Sequence, residues 1–123
     1  MTANAYSVYK EQAISTGNPR EVIGKLFNAS TVALRRAAIA IREKRLENAN
    51  NDILHAENIV FALDHTLDMQ YPVAGQLHEL YNYMLKRMIE ANLKKSDTIL
   101  DEVAGYLSEL RDTWEKAQQP GRA

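Results

Sequence analysis

The sequence predicts an all-α protein, an antiparallel four-helix bundle with a short N-terminal helical arm. Apolar residues recur at steps of three and four along most of the chain, which is the helical period. Only five Gly and three Pro interrupt the 123 residues. There is no long β-branched alternation and no Asn-Gly turn to indicate strands. Because long helices joined by short breaks pack as an antiparallel bundle, we expect a single domain over 1–123.

The arm covers residues 1–18 and contains Tyr6 and Tyr9, which share one helical edge. A segment this short is not a stable helix by itself. It can lie on the bundle, come off it, or remain a disordered leader, since chain termini often fray.

The first long helix is predicted over 19–44. Asn18 is placed to act as its N-cap, and Pro19 suits the first helical position. Glu21 follows Asn18 at the spacing of a capping box. The end of this helix is weakly marked, because the segment EKRLENAN contains neither Gly nor Pro.

The second helix is predicted over 46–67 and the third over 72–93, with Pro72 near its start. The second helix has an apolar stripe at alternating steps of three and four, typical of a bundle seam. This stripe consists of Ile53, Ala56, Val60, Leu63 and Leu67.

The fourth helix is predicted over 97–117, with Ser96 or Asp97 as its cap. Lys94 and Lys95 before it suit the negative end of the third helix dipole. The tail 118–123 is expected to fray.

Composition excludes several classes of function. Fifteen basic and sixteen acidic residues give a net charge of −1, which argues against nucleic acid and against a polybasic membrane patch. The absence of cysteine excludes disulfides, thiolate metal sites and cysteine nucleophiles. No secretory signal and no apolar run long enough to cross a bilayer is present. We therefore expect a cytoplasmic protein without membrane insertion.

The three histidines, His55, His65 and His78, show no clear pattern of a catalytic or metal-binding site. A di-iron site in a bundle needs inward Glu-x-x-His pairs, and only Asp52 with His55 approaches that spacing. No metal or other cofactor is therefore expected, and no enzyme activity. Histidine phosphotransfer, or another signalling role of a small bundle, remains the alternative hypothesis.

The third helix has a wider apolar arc than one buried stripe needs, about half its circumference. One interpretation is a well-filled core, because each helix of a bundle touches two neighbours. The other is a groove for an amphipathic partner segment, with adaptable methionines on its floor and tyrosines at its rim. The candidate groove residues are Leu54, Phe61, Leu77, Tyr81, Met84, Leu85, Met88 and Leu107.

Three segments carry a family resemblance, AYSVYKEQAISTGNPREVIGKLFN, LHELYNYMLKRMIEANLKKSD and EVAGYLSELRDTWEKA. They resemble the flagellin-specific export chaperones of the FliS family. The resemblance covers about residues 6–117, and the pair Tyr81 and Tyr83 makes it specific. Gly24 and Lys25 depart from the family pattern, being more polar than the usual residues there.

The resemblance implies a cytoplasmic chaperone that binds the disordered C-terminal segment of flagellin. Such a chaperone prevents premature polymerisation and delivers flagellin to the flagellar type III export apparatus. The resemblance also implies that the arm around Tyr6 and Tyr9 contacts a component of the export gate. Self-association through the same apolar surface, as a homodimer without client, is a further expectation.

Overall fold

The computed structural model describes residues 19–117, which form four α-helices and no strand. The helices are α1 (Pro19–Arg42), α2 (Leu46–His65), α3 (Pro72–Lys94) and α4 (Asp97–Ala117). The predicted all-α four-helix fold class is confirmed for this part of the chain. The predicted arm with Tyr6 and Tyr9, the Asn18 cap and the tail 118–123 lie outside the described residues.

The helices form a bundle in which α1 and α3 lie diagonally opposite each other. Helix α1 packs against α2 and α4, and α3 packs against the same two helices. Consecutive helices are joined by the short connections 43–45, 66–71 and 95–96. Short connections of this kind place consecutive helices side by side with opposite directions.

Helix α1 lies closer to its two neighbours than α3 does. The inward side of α1 is rich in small residues, which let helix backbones approach each other. The buried alanines of α1 are Ala33, Ala37, Ala38 and Ala40. The inward side of α3 holds larger side chains instead, and these keep its backbone farther away. They are Tyr81, Met84, Leu85 and Met88.

Helices α1 and α3 are each followed by a lysine in the left-handed region. Lys44 has φ 61° and Lys95 has φ 52°, a conformation in which glycine is the usual residue. After α1, the Lys44 N–H donates to the Ile41 carbonyl at 3.0 Å, and the Arg45 N–H donates to the Ala40 carbonyl at 2.8 Å. These paired bonds form a Schellman motif, so α1 ends at Arg42, two residues before the predicted end at Lys44.

The other helix ends have local causes as well. Ser96 caps α4, because its hydroxyl accepts a hydrogen bond from the Ile99 N–H at 3.3 Å. Pro72 occupies the start of α3 after an extended Tyr71. Helix α2 ends at His65, where the predicted end was Leu67, and the Thr66 hydroxyl donates to the carbonyl of the preceding turn at 2.6 Å.

One hydrogen bond ties the beginning of α1 to the end of α4. The Trp114 indole N–H donates to the Arg20 carbonyl at 2.9 Å. Gly24 lies beneath the ring, and a Cβ added there would be 3.5 Å from Trp114 Cδ1, an ordinary contact distance. Gly24 therefore departs from the family pattern without interrupting α1.

We expect Lys44→Gly to raise the free energy of unfolding by about 1 kcal/mol, because glycine adopts the left-handed conformation without the strain of a Cβ. Lys86→Gly is the matched control, since Lys86 is exposed in the interior of α3. That change should lower the free energy of unfolding by about 1 kcal/mol. Urea unfolding followed by circular dichroism measures both, and a destabilised Lys44→Gly variant would contradict the assigned conformation.

Candidate functional site

The predicted groove residues divide into a buried group and a more accessible group. Five of them are at most 7% exposed and belong to the core: Tyr81, Met84, Leu85, Met88 and Leu107. Leu54 is 39% exposed, and Phe61 and Leu77 are half-buried against the core. The wide apolar arc of α3 is thus largely an inner wall of the bundle. Whether a partner contacts the eight residues stays a prediction.

Two polar contacts mark the ends of the boundary between α2 and α3. At one end the Asn92 side-chain amide donates to Asn50 Oδ1 at 2.8 Å. At the other end His78 Nδ1 lies 2.7 Å from Asp64 Oδ1. Residues of α2 at three- and four-residue steps between Asn50 and Asp64 share the flank that faces α3.

We call the surface along this boundary the α2–α3 groove. Helical spacing from Asn50 and Asp64 places Leu46, Leu54, Glu57 and Phe61 along its α2 side. Spacing from His78 and Asn92 places Leu85, Ile89 and Leu93 on or beside its α3 side. Four of these apolar side chains are strongly exposed, from 39% for Leu54 to 83% for Leu93. Ile89 and Leu93 are one helical turn apart, so they extend the apolar surface along α3. An apolar row of this kind is typical of a protein-binding surface.

Glu57 is the charged residue of the α2–α3 groove. It is 6% exposed, and its side-chain carboxylate has no hydrogen-bond or ion-pair partner among the described residues. Burial removes water from its carboxylate and thereby raises the pKa of Glu57 above its ordinary value of 4.5. A buried carboxylate without a partner lowers stability at neutral pH, so its position has no evident structural benefit.

The boundary between α3 and α4 is covered by a polar network centred on Glu102. Arg87 Nη2 donates to Glu102 Oε1 at 2.8 Å, and the hydroxyls of Tyr83 and Tyr106 donate to Glu102 Oε2 at 3.0 and 3.1 Å. Arg87 also pairs with Glu90 at 2.7 Å. These donors, Arg87 foremost, hold the pKa of Glu102 below its usual value. The network thus places charged and hydroxyl groups along this side.

A depression of about 430 Å³ lies between α1 and α4, away from the predicted groove residues. Val32 and Ile39 provide exposed apolar surface there, 43% and 46% exposed. Its full lining is Thr31, Val32, Arg35, Arg36, Ile39, Ser108 and Arg111. With three arginines and no carboxylate in the lining, this depression is basic.

Two of the three histidines make local polar contacts. His78 uses both ring nitrogens, one towards Asp64 and one 3.2 Å from Asn82 Nδ2. His65 Nδ1 lies 2.8 Å from the Phe61 carbonyl, and His55 is exposed. Within 19–117 no three His, Asp or Glu side chains are grouped so that they could hold a metal ion. None of the described helices has the length and hydropathy needed to cross a membrane.

Three features of this surface were not predicted from the sequence. Ile89 and Leu93 were not among the candidate groove residues, although their four-residue spacing continues the row. Glu57 was not singled out either, although the three- and four-residue steps from Leu54 and Phe61 place it on the same flank. The basic depression between α1 and α4 depends on how two helices are aligned, which no single segment shows.

The comparisons with known proteins all point to one family. A family model described as "Flagellar protein FliS" matches residues 2–121. The flagellar secretion chaperone FliS of Bacillus subtilis is 33% identical over 97% of this chain and 90% of its own length. Flagellar secretion chaperone FliS of Salmonella typhimurium is 30% identical over 86% of this chain and 81% of its own. FliSB of Pseudomonas aeruginosa, also named a flagellar secretion chaperone, is 31% identical over 85% of each chain.

We expect Glu57→Gln to stabilise the protein at neutral pH by about 1 kcal/mol, because it removes a buried charge without a partner. The sign follows from the raised pKa of Glu57 in the folded state. As pH rises through the ordinary value of 4.5, the unfolded chain loses this proton first, so native stability falls until the folded carboxyl has also ionised. The stability difference between variant and wild type should therefore grow from pH 4 to pH 7.

Urea unfolding at several pH values measures this difference. Glu109→Gln is the control, because Glu109 is exposed on α4 and neutralising it should leave stability within about 0.5 kcal/mol at every pH. A Glu57→Gln stability difference that is the same at all pH values would show that burial does not affect this carboxyl.

Proposed function

The chain belongs to the family of the flagellar protein FliS, and we propose that it is the export chaperone of a flagellin. In this proposal it binds the disordered C-terminal segment of flagellin in the cytoplasm and prevents premature polymerisation. It then delivers its client to the flagellar type III export apparatus. It acts by one-to-one masking of the client, without chemical turnover. The names of the relatives, flagellar secretion chaperones, support the role in secretion.

The observation that carries the proposal is the exposed apolar row of the α2–α3 groove. Leu46, Leu54, Ile89 and Leu93 are from 39% to 83% exposed although they belong to a packed bundle. An amphipathic segment of the client would lie along this row and bury its own apolar face against it. The predicted residues Phe61, Leu77 and Leu85 would then support the groove from beneath. Tyr81, Met84, Met88 and Leu107 would act as the core that shapes it.

Two of the other helix boundaries suit an apolar client less well. The polar network around Glu102 occupies the boundary between α3 and α4. Arg35, Arg36 and Arg111 line the depression between α1 and α4. Arg35 and Arg111 pair with Asp101 and Asp112, but an apolar segment placed there would still remove water from these charged side chains, which is unfavourable.

Energetic considerations agree with an extended contact. Each well-buried apolar side chain contributes roughly 1.5–3 kcal/mol. Ordering a flexible client opposes binding by about 1–2 kcal/mol per residue in backbone entropy. Several client side chains must therefore be buried together, and a row along a whole helix boundary provides that length.

Two further parts of the proposal concern the arm and self-association. Tyr6 and Tyr9, in the segment before α1, would contact a component of the export gate. Without a client, the α2–α3 groove of one copy would pack against that of a second copy. Gel filtration with and without client peptide tests the second point, since the peptide should convert a dimer into a one-to-one complex.

The central experiment is a calorimetric titration of the full chain with the C-terminal segment of its cognate flagellin. We expect one-to-one binding with a dissociation constant at or below the micromolar range, and a negative heat-capacity change from apolar burial. Absence of binding at micromolar concentrations would overturn the proposed function.

A matched pair of isoleucine variants locates the binding surface. Ile89 in the α2–α3 groove is 52% exposed and Ile39 in the α1–α4 depression is 46% exposed, so aspartate should be tolerated by the fold at both. Ile89→Asp should weaken binding at least tenfold, about 1.4 kcal/mol, because a charge would be buried against the client. Ile39→Asp should change binding less than twofold. The reverse result would move the client to the α1–α4 depression.

A further inference from the structure

Glu57 lies on the α2 side of the α2–α3 groove, between the polar contacts at Asn50 and Asp64. It follows Leu54 by three residues and precedes Phe61 by four, on the flank of α2 that faces α3. Its carboxylate is therefore the one acidic group between apolar neighbours on this flank. A client segment in the groove must pass over it.

The carboxylate of Glu57 retains access to the outside. Among the described side chains, the one fully enclosed polar atom without a hydrogen-bond partner is Asn58 Oδ1. The oxygens of Glu57 also lack a partner, so they are not fully enclosed. The exposed 6% of Glu57 thus includes its carboxylate oxygens, which can accept a hydrogen bond from a bound molecule.

No lysine or arginine among the described residues forms an ion pair with this carboxylate. Arg87 binds Glu102 and Glu90, and Lys94 binds Glu90 at 2.8 Å. A lysine or arginine from a partner has an aliphatic stem that can lie on apolar surface while its charged end reaches a carboxylate. A hydrogen bond between two charged groups is among the stronger ones in proteins.

We infer that Glu57 is a recognition point for one lysine or arginine side chain of the client, flanked in the client by apolar residues that contact the α2–α3 groove. The inference rests on the proposed function, because it takes the flagellin segment as the occupant. The apolar row supplies contact area, and Glu57 fixes the register of the segment along the groove. A segment shifted by one helical turn would leave the carboxylate buried and unpaired, which is unfavourable.

The test compares Glu57→Gln with wild type in the calorimetric titration against the flagellin C-terminal segment. We expect at least tenfold weaker binding, because glutamine keeps the shape of the side chain and removes its charge. Circular dichroism and urea unfolding confirm that the variant is folded. Glu109→Gln, on an exposed position of α4, is the charge-matched control and should change the dissociation constant less than twofold.

A double-mutant cycle then identifies the partner group. Each lysine and arginine of the peptide is replaced by glutamine in turn, and each peptide is titrated against wild type and Glu57→Gln. One position should weaken binding about tenfold with wild type and less than twofold with the variant. A general loss of stability would not produce this coupling at one position.

The outcomes separate the two proposals. If wild type does not bind the segment, the proposed function fails. If wild type binds and Ile89→Asp weakens binding, but Glu57→Gln binds as tightly as wild type, only the inference about Glu57 is overturned. Weaker binding by Glu57→Gln without coupling to any single lysine or arginine also overturns it, since the carboxylate would then meet a neutral donor.

Discussion

The close approach of α1 to α2 and α4 is the constraint on which the rest of the structure depends. The buried alanines of α1 allow it, because small side chains permit short distances between helix axes. Helix α3, with Tyr81 and two methionines inward, cannot approach as closely and lies farther from its neighbours. Two wider boundaries result, one on each side of α3, and their different chemistry distinguishes the surfaces of the bundle.

Polar contacts give each boundary of α3 its character. On the α4 side, Glu102 accepts hydrogen bonds from an arginine and two tyrosines, so the surface is closed by groups that satisfy one another. On the α2 side, polar contacts occur at the two ends, at Asn50 and Asp64. Between them lie apolar residues and the unpaired Glu57. The two sides of α3 therefore differ: polar groups hold the boundary with α4 together, and apolar side chains remain exposed along the boundary with α2.

The fold class could be predicted from the sequence, because helical periodicity, Pro72 and Ser96 act locally. The end of α1 could not, since Lys44 adopts a conformation usually given to glycine. A helical wheel gives the direction of Met84 and Met88 but not the distance of α3 from its neighbours, so it did not show that both are buried. That distance depends on how the large inward side chains of α3 pack between α2 and α4. Recognising that Glu57 lacks a partner likewise requires knowing how α2 and α3 pack together.

The unequal packing has a consequence for the order in which the bundle opens. A helix whose backbone stands away from its neighbours has fewer close contacts to lose than one embedded between them. Transient detachment of α3 would leave the tightly packed unit of α1, α2 and α4 in place. Amide protons of α3 would then exchange with solvent through this partial opening, while those of α1 would exchange only when the whole bundle unfolds. The helix that borders the open groove is thus also the one with the greatest freedom to adjust its position.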